Sequence, residues 1–248
     1  MMLLSDLFEQ LTYGELSQLE YSGVDDEGFT VNDYKRVIPH INLGLTELHK
    51  RFLLREEEVT IRCYDHIETY ILDSKYAASN TESTESYKYI HDTSFEPFRD
   101  NVLKIEKVFN EDGQEFHLNE TDPYIIQTET LQQSRKAWSV HTPDYRTIQM
   151  PYPMVTNQIL VEYRANHEKI VLKGLNPETT EIKIPSYLLQ SLLLFIAARA
   201  YSSLGGESAQ EGMLYMQKFE ASILQIKTEG LVNTENNTNQ KLEVAGWV

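Results

Sequence analysis

The sequence is poor in cysteine, in basic residues and in long apolar runs. Its 248 residues include a single cysteine, Cys63, so an intramolecular disulfide framework is excluded and a reducing compartment is favoured. Only 22 basic residues stand against 38 acidic ones, which gives a net charge of −16. Such a surplus of acid argues against wrapping around nucleic acid, because each phosphate contact requires a lysine or an arginine. These shortages predict a soluble, cytosolic protein.

Export and membrane signals are also lacking. The amino-terminal residues have neither the basic start nor the unbroken apolar core of a secretion signal. The longest apolar run starts at Leu192, is interrupted by Arg199 and is too short to cross a bilayer. We therefore expect no membrane partner.

Motifs that carry chemistry are not found. The seven histidines are scattered without a metal-binding spacing, and Cys63 has no second cysteine beside it. Asp65, His66 and Glu68 could ligate a metal, but a solvated turn between strands is the simpler interpretation. No lysine follows Gly205-Gly206 in the register of a phosphate-binding loop, and no nucleophile elbow occurs. We expect no catalytic residues, no metal and no cofactor, and thus a protein that is not an enzyme.

Both ends of the chain show helical periodicity. A short helix is predicted to open the chain, and a long helix follows with one apolar seam. Pro39 lies within this long helix, so the helix either kinks or begins there. After Pro185, residues 186–204 are apolar nearly all round and predict a buried central helix, followed by an amphipathic helix from about 207 to 229. The apolar positions of the three amphipathic segments are Leu3, Leu4, Leu7, Phe8 and Leu11, then Tyr34, Ile38, Ile41, Leu45, Leu48 and Phe52, then Met216, Phe219, Ile223 and Ile226.

The middle of the chain alternates with a period of two. Strands are predicted at 59–65, 68–73 and 102–109, the last joined to 115–118 by a hairpin turn at Asp112-Gly113. Further short strands are predicted within 123–128, 137–142, 147–153 and 157–165. Strands at this spacing are typical of a β-sandwich or barrel.

The order of helices, strands and helices predicts an α+β fold. The economical arrangement is an α-helical bundle with an inserted antiparallel β-sandwich or barrel domain and an extended C-terminal arm. The bundle would comprise residues 1–56 and 184–230. The inserted β-rich domain would comprise residues 57–183, and the arm residues 231–248.

The C-terminal arm ends in an apolar tip. Its sequence from residue 233, NTENNTNQKLEVAGWV, begins with eight polar residues and ends with Leu242, Val244, Trp247 and Val248. Fully extended, residues 232–248 would reach about 55 Å. We therefore predict that these four apolar residues bind a partner, with Trp247 as the main anchor and residues 233–240 as a tether.

Three stretches together carry a family resemblance. They are INLGLTELHKRFLLREEEVTIRCYD (41–65), which passes from helix to strand, then SLLLFIAARAYSSLGG (191–206) and YMQKFEASILQIKTEGL (215–231). With the β-rich middle between them, the chain resembles the head-to-tail adaptor proteins of tailed bacteriophages, also called connector or gateway proteins, and especially those of short-tailed phages. The resemblance spans most of the chain and lies in the order of elements.

The resemblance implies a structural virion protein. Such adaptors form a dodecameric ring beneath the portal and extend the DNA channel, with the bundle packed around the ring and the β-domain towards a tail tube or nozzle protein. The C-terminal arm, and with it Leu242, Val244, Trp247 and Val248, would dock on the portal protein. An acidic channel would repel the DNA backbone, so the genome would pass during ejection without specific binding. The protein would lie in the neck of the virion, and in the host cytoplasm during assembly.

Two other functions stay open. One is a β-sandwich module that binds carbohydrate or peptide on a helical stalk, with exposed aromatic residues as its binding surface. The other is an acid–base hydrolase with a pair of carboxylates, although no pair stands out in the sequence. The aromatic candidates of the binding module are Tyr87, Tyr89, Trp138, Tyr145 and Tyr152.

Overall fold

The protein has a mixed α+β structure. The computed structural model describes residues 2–19, 29, 31–119, 139–151, 158–206 and 208–231, which form four helices and ten strands. The chain divides into two compact units. The helical unit comprises Met1–Leu54 and His167–Val248, and the strand unit comprises Arg55–Asn166 as one continuous segment.

Two small elements tie residues 167–184 to the helical unit. Strand β1 (Met2–Leu3) pairs antiparallel with β10 (Glu181–Ile182), and the Ser5 amide donates to the carbonyl oxygen of Pro177. The side chain of Asn42 exchanges two hydrogen bonds of 2.9 Å with the backbone of Ile170. These contacts explain why the boundary between the strand unit and the second segment of the helical unit falls at 166/167. The boundary predicted from the sequence was 183/184.

The first two helices follow the predicted periodicity. Helix α1 (Leu4–Tyr13) buries Leu4, Leu7, Phe8 and Leu11. Helix α2 (Val31–Arg51) buries its seam from Ile38 onwards, and Tyr34 is partly buried against the same core. Pro39 lies inside α2, so the alternative that the helix begins at Pro39 is wrong. The apolar contacts on both sides of the proline keep the helix continuous there despite the missing amide donor.

The last two helices pack closely against each other. Helix α3 (Leu189–Leu204) follows a short 3-10 turn (Ser186–Leu188) and is buried nearly all round, as predicted. Helix α4 (Ser208–Glu229) buries Phe219, Ile223 and Ile226. At Gly212 an added Cβ would lie 2.8 Å from the Ser202 amide nitrogen and 3.0 Å from the Ala198 carbonyl oxygen, so glycine permits the close approach of the two helices.

One helical segment has the composition of a membrane span. Ser186–Leu204 is long and apolar enough to cross a bilayer. It begins six residues before Leu192, the start of the apolar run that was judged too short from the sequence. Most of it (61%) is buried inside the structure, however, which is typical of the core helix of a globular protein.

The strand unit contains two four-stranded sheets. The first has the order β4 (Ile90–His91), β2 (Glu56–Arg62), β9 (Gln158–Ala165), β5 (Val102–Phe109), and all its pairs are antiparallel. The second has the order β3 (Thr69–Ile71), β8 (Thr147–Gln149), β7 (Ser139–Asp144), β6 (His117–Leu118). Its β6–β7 pair is parallel, which departs from the antiparallel arrangement predicted. Within the described residues neither sheet closes into a barrel.

Both sheets contribute to one apolar core. Val59, Ile61 and Val161 of the first sheet belong to the same buried cluster as Tyr70 and Ile148 of the second. The predicted hairpin turn is confirmed: the Gly113 amide donates to the Asn110 carbonyl oxygen, and Gly113 has φ 75°. The strand predicted at 123–128 lies outside the described residues, as do parts of those predicted at 137–142, 147–153 and 157–165.

Candidate partner-binding surfaces

Helix α4 ends where the predicted arm begins in the sequence. This helix ends at Glu229, Gly230 takes a left-handed conformation with φ 66°, and Leu231 is 47% exposed. Glycine favours such a C-terminal stop because it has no Cβ to clash. The predicted anchor residues Leu242, Val244, Trp247 and Val248 lie outside the described residues.

The outward face of α4 has no charged residue along its centre. Successive residues of an α-helix are rotated by about 100°, so the exposed uncharged side chains of α4 share roughly one third of its circumference. We call this face the α4 stripe. It consists of Gln210, Met213, Leu214, Gln217, Ala221, Leu224, Gln225 and Thr228.

The charges of α4 lie on the two edges of this stripe. Lys218 lies beside Glu211 and Glu229 on one edge, and Glu220 and Lys227 lie on the other. Glu220 accepts two hydrogen bonds from the Arg51 guanidinium, at 2.6 and 2.8 Å, and this pairing lowers the pKa of Glu220 below its ordinary value. Lys227 lies 5.9 Å from the centre of the Phe52 ring. The charged side chains therefore frame the stripe and leave its centre neutral.

Large apolar side chains are exposed on the stripe. Met213 and Leu224 are each 66% exposed and Leu214 is 51% exposed, in a protein with a net charge of −16. Single exposed leucines are ordinary, whereas several on one uncharged helix face form a candidate contact surface. The stripe was not predicted, because only Met216, Phe219, Ile223 and Ile226 were identified as apolar positions of this helix. Plotting positions 213, 214 and 224 on a helical wheel would have revealed it.

A second apolar surface lies on α2. Leu43 is 48% exposed, and Val171 and Leu172 are 57% and 44% exposed. The hydrogen bonds between Asn42 and Ile170 hold the two chain segments together immediately beside these residues. With the exposed ring of Pro39, these three side chains form a surface that we call the α2 patch.

Basic residues surround the α2 patch. Lys35, Lys169 and Lys173 are exposed and make no ion pair with any other described residue. His40 lies near Arg199 and Arg36, and burial together with these two positive charges lowers its pKa. The neighbouring acids Glu47 and Glu168 are paired with Arg51 and Lys183, so the lysines near the α2 patch keep an unbalanced positive charge.

The three described aromatic candidates of the strand unit differ in exposure. Tyr89 is buried and its hydroxyl donates to the Ile71 carbonyl oxygen at 3.0 Å, so it belongs to the core. Tyr87 is 44% exposed and contacts the rings of Tyr64 and His66, with centroid distances of 5.2 and 4.8 Å. Tyr145 is 54% exposed beside Arg146. Trp138 and Tyr152 lie outside the described residues.

An open cleft lies beside the hairpin turn of the strand unit. It has a volume of about 630 Å³ and is lined by Thr60, Phe109, Leu160 and Glu162 together with the turn around Gly113. Burial raises the pKa of Glu162, and the carboxylates of Glu56, Glu58 and Glu115 add to this effect against the opposing charge of Lys107. The cleft is acidic and partly apolar, and both Glu111 and Glu162 belong to its lining.

No family model matches the chain, and no curated protein matches it.

Two of the three residues considered as metal ligands, Asp65 and His66, contact each other. The Nδ1 atom of His66 lies 2.8 Å from Oδ1 of Asp65. Among the described residues no three histidine, cysteine or acidic side chains are close enough to hold an ion.

Cys63 should be an unreactive thiol. The residue is buried, and burial raises its pKa to about 11. Because only the thiolate reacts, we expect the native protein at pH 8 to resist an aromatic disulfide reagent for hours, and the urea-unfolded chain to react within minutes. The released chromophore would be followed by absorbance. Rapid stoichiometric labelling of the native protein would contradict the burial of this side chain.

Proposed function

We propose that the protein is a non-enzymatic structural component of a tailed-phage virion, a ring adaptor between the portal vertex and the tail. Several copies, twelve by analogy with the family it resembles, would form a ring that extends the DNA channel. In this proposal the helices of the helical unit form the bundle around the ring. The two sheets form a sandwich that meets a tail tube or nozzle protein.

The observation that carries the proposal is the insertion of one strand unit into one helical unit, whose last described helix precedes the predicted arm in the sequence. The strand unit is flanked in the sequence by the two segments of the helical unit, and α4 ends at Glu229, shortly before the residues of the predicted tether and tip. This is the element order of the phage adaptors that the sequence resembles. The exposed α4 stripe and α2 patch add two contact surfaces of the kind that an assembling ring requires.

The charge of the protein fits a DNA conduit. A ring of twelve chains, each with a net charge of −16, would present a strongly acidic assembly to the DNA backbone. Like charges repel, so DNA would pass through the channel without adhering. No nucleic-acid contact is needed for this role.

Deleting residues 233–248 should abolish binding to the portal. The truncated chain keeps every described element and should fold with an unchanged circular dichroism spectrum and thermal midpoint. Binding is measured by co-sedimentation with capsids that carry the portal of the encoding phage, followed by electron microscopy of the vertex. Full-length protein should add a twelve-fold ring, and the truncated chain should leave the portal bare.

Two point variants locate the effect within the arm. Trp247→Ala should weaken capsid binding at least tenfold, because a buried tryptophan is a frequent anchor of an interface. The double variant Asn236→Ala/Asn237→Ala changes only the tether and should bind as the full-length protein does. Portal binding that survives the deletion undiminished would refute the docking role of the arm. Full-length protein that leaves the portal bare would refute the adaptor function.

A second candidate function is a carbohydrate- or peptide-binding module. The exposed ring cluster of Tyr64, His66 and Tyr87 and the cleft beside Gly113 favour it. Aromatic rings and a concave surface are common in such sites. Glycan retention by the full chain that is lost with Tyr87→Ala, without any ring at the portal, would establish this function in place of the first.

A further inference from the structure

Two unlike surfaces of the helical unit lack a partner within the described chain. The α4 stripe is neutral along its centre and exposes Met213, Leu214 and Leu224. The α2 patch exposes Leu43, Val171 and Leu172. The stripe belongs to α4, whereas the patch belongs to α2 and to the segment of Val171 and Leu172.

The charges around the two surfaces are complementary. One edge of the α4 stripe carries Glu211, Glu229 and Lys218 and is net negative. The two glutamates form no ion pair with other described residues, although Glu229 accepts a hydrogen bond from Gln225. Around the α2 patch, Lys35, Lys169 and Lys173 likewise form no ion pair in the described part of the chain. Lysines beside one apolar surface and carboxylates beside the other would attract each other across a contact.

We propose that the α4 stripe of one copy binds the α2 patch of a second copy of this chain, head to tail. The apolar side chains would form the centre of the contact, with the lysines of one copy facing Glu211 and Glu229 of the other at its rim. A binding surface with an apolar centre and a charged rim is the usual composition of a protein interface.

A head-to-tail contact uses both surfaces, and this distinguishes it from self-pairing of α4. If two α4 stripes met each other, the α2 patch and its lysines would stay uncovered. A contact between two different surfaces repeats from copy to copy and closes into a ring when the rotation allows. The inference that the copies close into a ring rests on the proposed adaptor function. The inference that two copies bind each other rests only on the two surfaces.

Cysteine cross-linking of the full-length chain tests the contact. In a Cys63→Ala background, Leu43→Cys and Leu224→Cys are introduced separately and together, and a short bismaleimide is added over a range of protein concentrations. The double variant should give a ladder of dimers, trimers and larger species on a denaturing gel. Each single variant should stay monomeric on the gel, because the contact brings Leu43 of one copy next to Leu224 of another.

The matched control pairs Leu224→Cys with Tyr13→Cys. Tyr13 is 73% exposed and belongs to the helical unit but to neither surface, so this pair should give no ladder. Dimers from Leu224→Cys alone would show that α4 meets its own copy and would overturn the proposal. The absence of cross-links in the double variant at every concentration up to the solubility limit would overturn it as well.

A charge placed in the stripe gives an independent measurement. Leu224→Glu should weaken self-association, measured by sedimentation, at least tenfold, while Tyr13→Glu should leave it unchanged. If Leu224→Glu still self-associates and forms rings on portal-bearing capsids like the unmodified chain, the contact is wrong but the adaptor function stands. If the cysteine ladder forms but the unmodified chain does not bind capsids, the contact stands and the adaptor function is wrong.

Discussion

An Arg164→Met variant should lose about 3–5 kcal/mol of unfolding free energy, because it leaves the buried carboxylate of Glu106 without its main partner. In the native strand unit the Arg164 Nη2 atom lies 2.6 Å from Oε1 of Glu106. Their side chains are only 6% and 7% exposed. In the variant the exposed Lys104 can still donate to Oε2 of Glu106, from which its Nζ atom lies 2.9 Å away. We therefore expect a loss at the lower end of that range.

Urea unfolding followed by circular dichroism at pH 7 measures this loss. The double variant Glu106→Leu/Arg164→Met removes both charges and should recover most of the stability, since an apolar pair of similar volume replaces a buried ion pair at little cost. Lys104→Met is the matched control, and it should cost no more than about 1 kcal/mol because this lysine is 59% exposed. A single Arg164→Met variant as stable as the unmodified chain would show that the pair is hydrated in solution.

The alternation of the strand segments was readable from the sequence, but this ion pair was not. The strands β5 and β9 are predicted from their period of two, which also implies one apolar face for each. The contact of Glu106 with Arg164 depends on the pairing of β5 with β9 and on the register shift near residues 105–107. Register between distant strands is set by packing of the whole sheet, which a local pattern does not contain.

The helices were predicted closely because each is amphipathic or wholly buried. The seam from Ile38 to Phe52 and the face of Phe219, Ile223 and Ile226 are buried as their spacing indicates. Residues 167–183 were assigned to the β-domain instead, since they show no helical period. Their place in the helical unit depends on long-range hydrogen bonds such as that from Asn42 to the Ile170 carbonyl oxygen.

The candidate surfaces were only partly predictable. The arm residues Leu242, Val244, Trp247 and Val248 stay a prediction, because they lie outside the described residues. The α4 stripe was missed because its apolar residues alternate with glutamine and threonine. A simple division of the helix into an apolar and a polar face therefore assigns the whole stripe to the polar face. What marks it is the confinement of charge to its edges, which becomes visible when exposure and helical position are considered together.

Phe219→Ala should lower the unfolding free energy by about 3–5 kcal/mol, the usual cost of removing a fully buried aromatic side chain. The Phe219 ring is 0% exposed and meets the Phe195 ring of α3 edge to face at a centroid distance of 5.2 Å. Arg51 of α2 lies 5.0 Å from the same ring and pairs with Glu220. One side chain therefore joins α4 to both α2 and α3, and its loss would leave a cavity where three helices meet.

Leu224→Ala is the matched control on the same helix. Leu224 is 66% exposed on the α4 stripe, so truncating it should change the unfolding free energy of the single chain by no more than about 0.5 kcal/mol. Both variants are compared by urea unfolding at a protein concentration where the unmodified chain is monomeric. If Leu224→Ala were as destabilising as Phe219→Ala, the outward face of α4 would be packed within its own chain. The stripe would then be unable to bind a second copy.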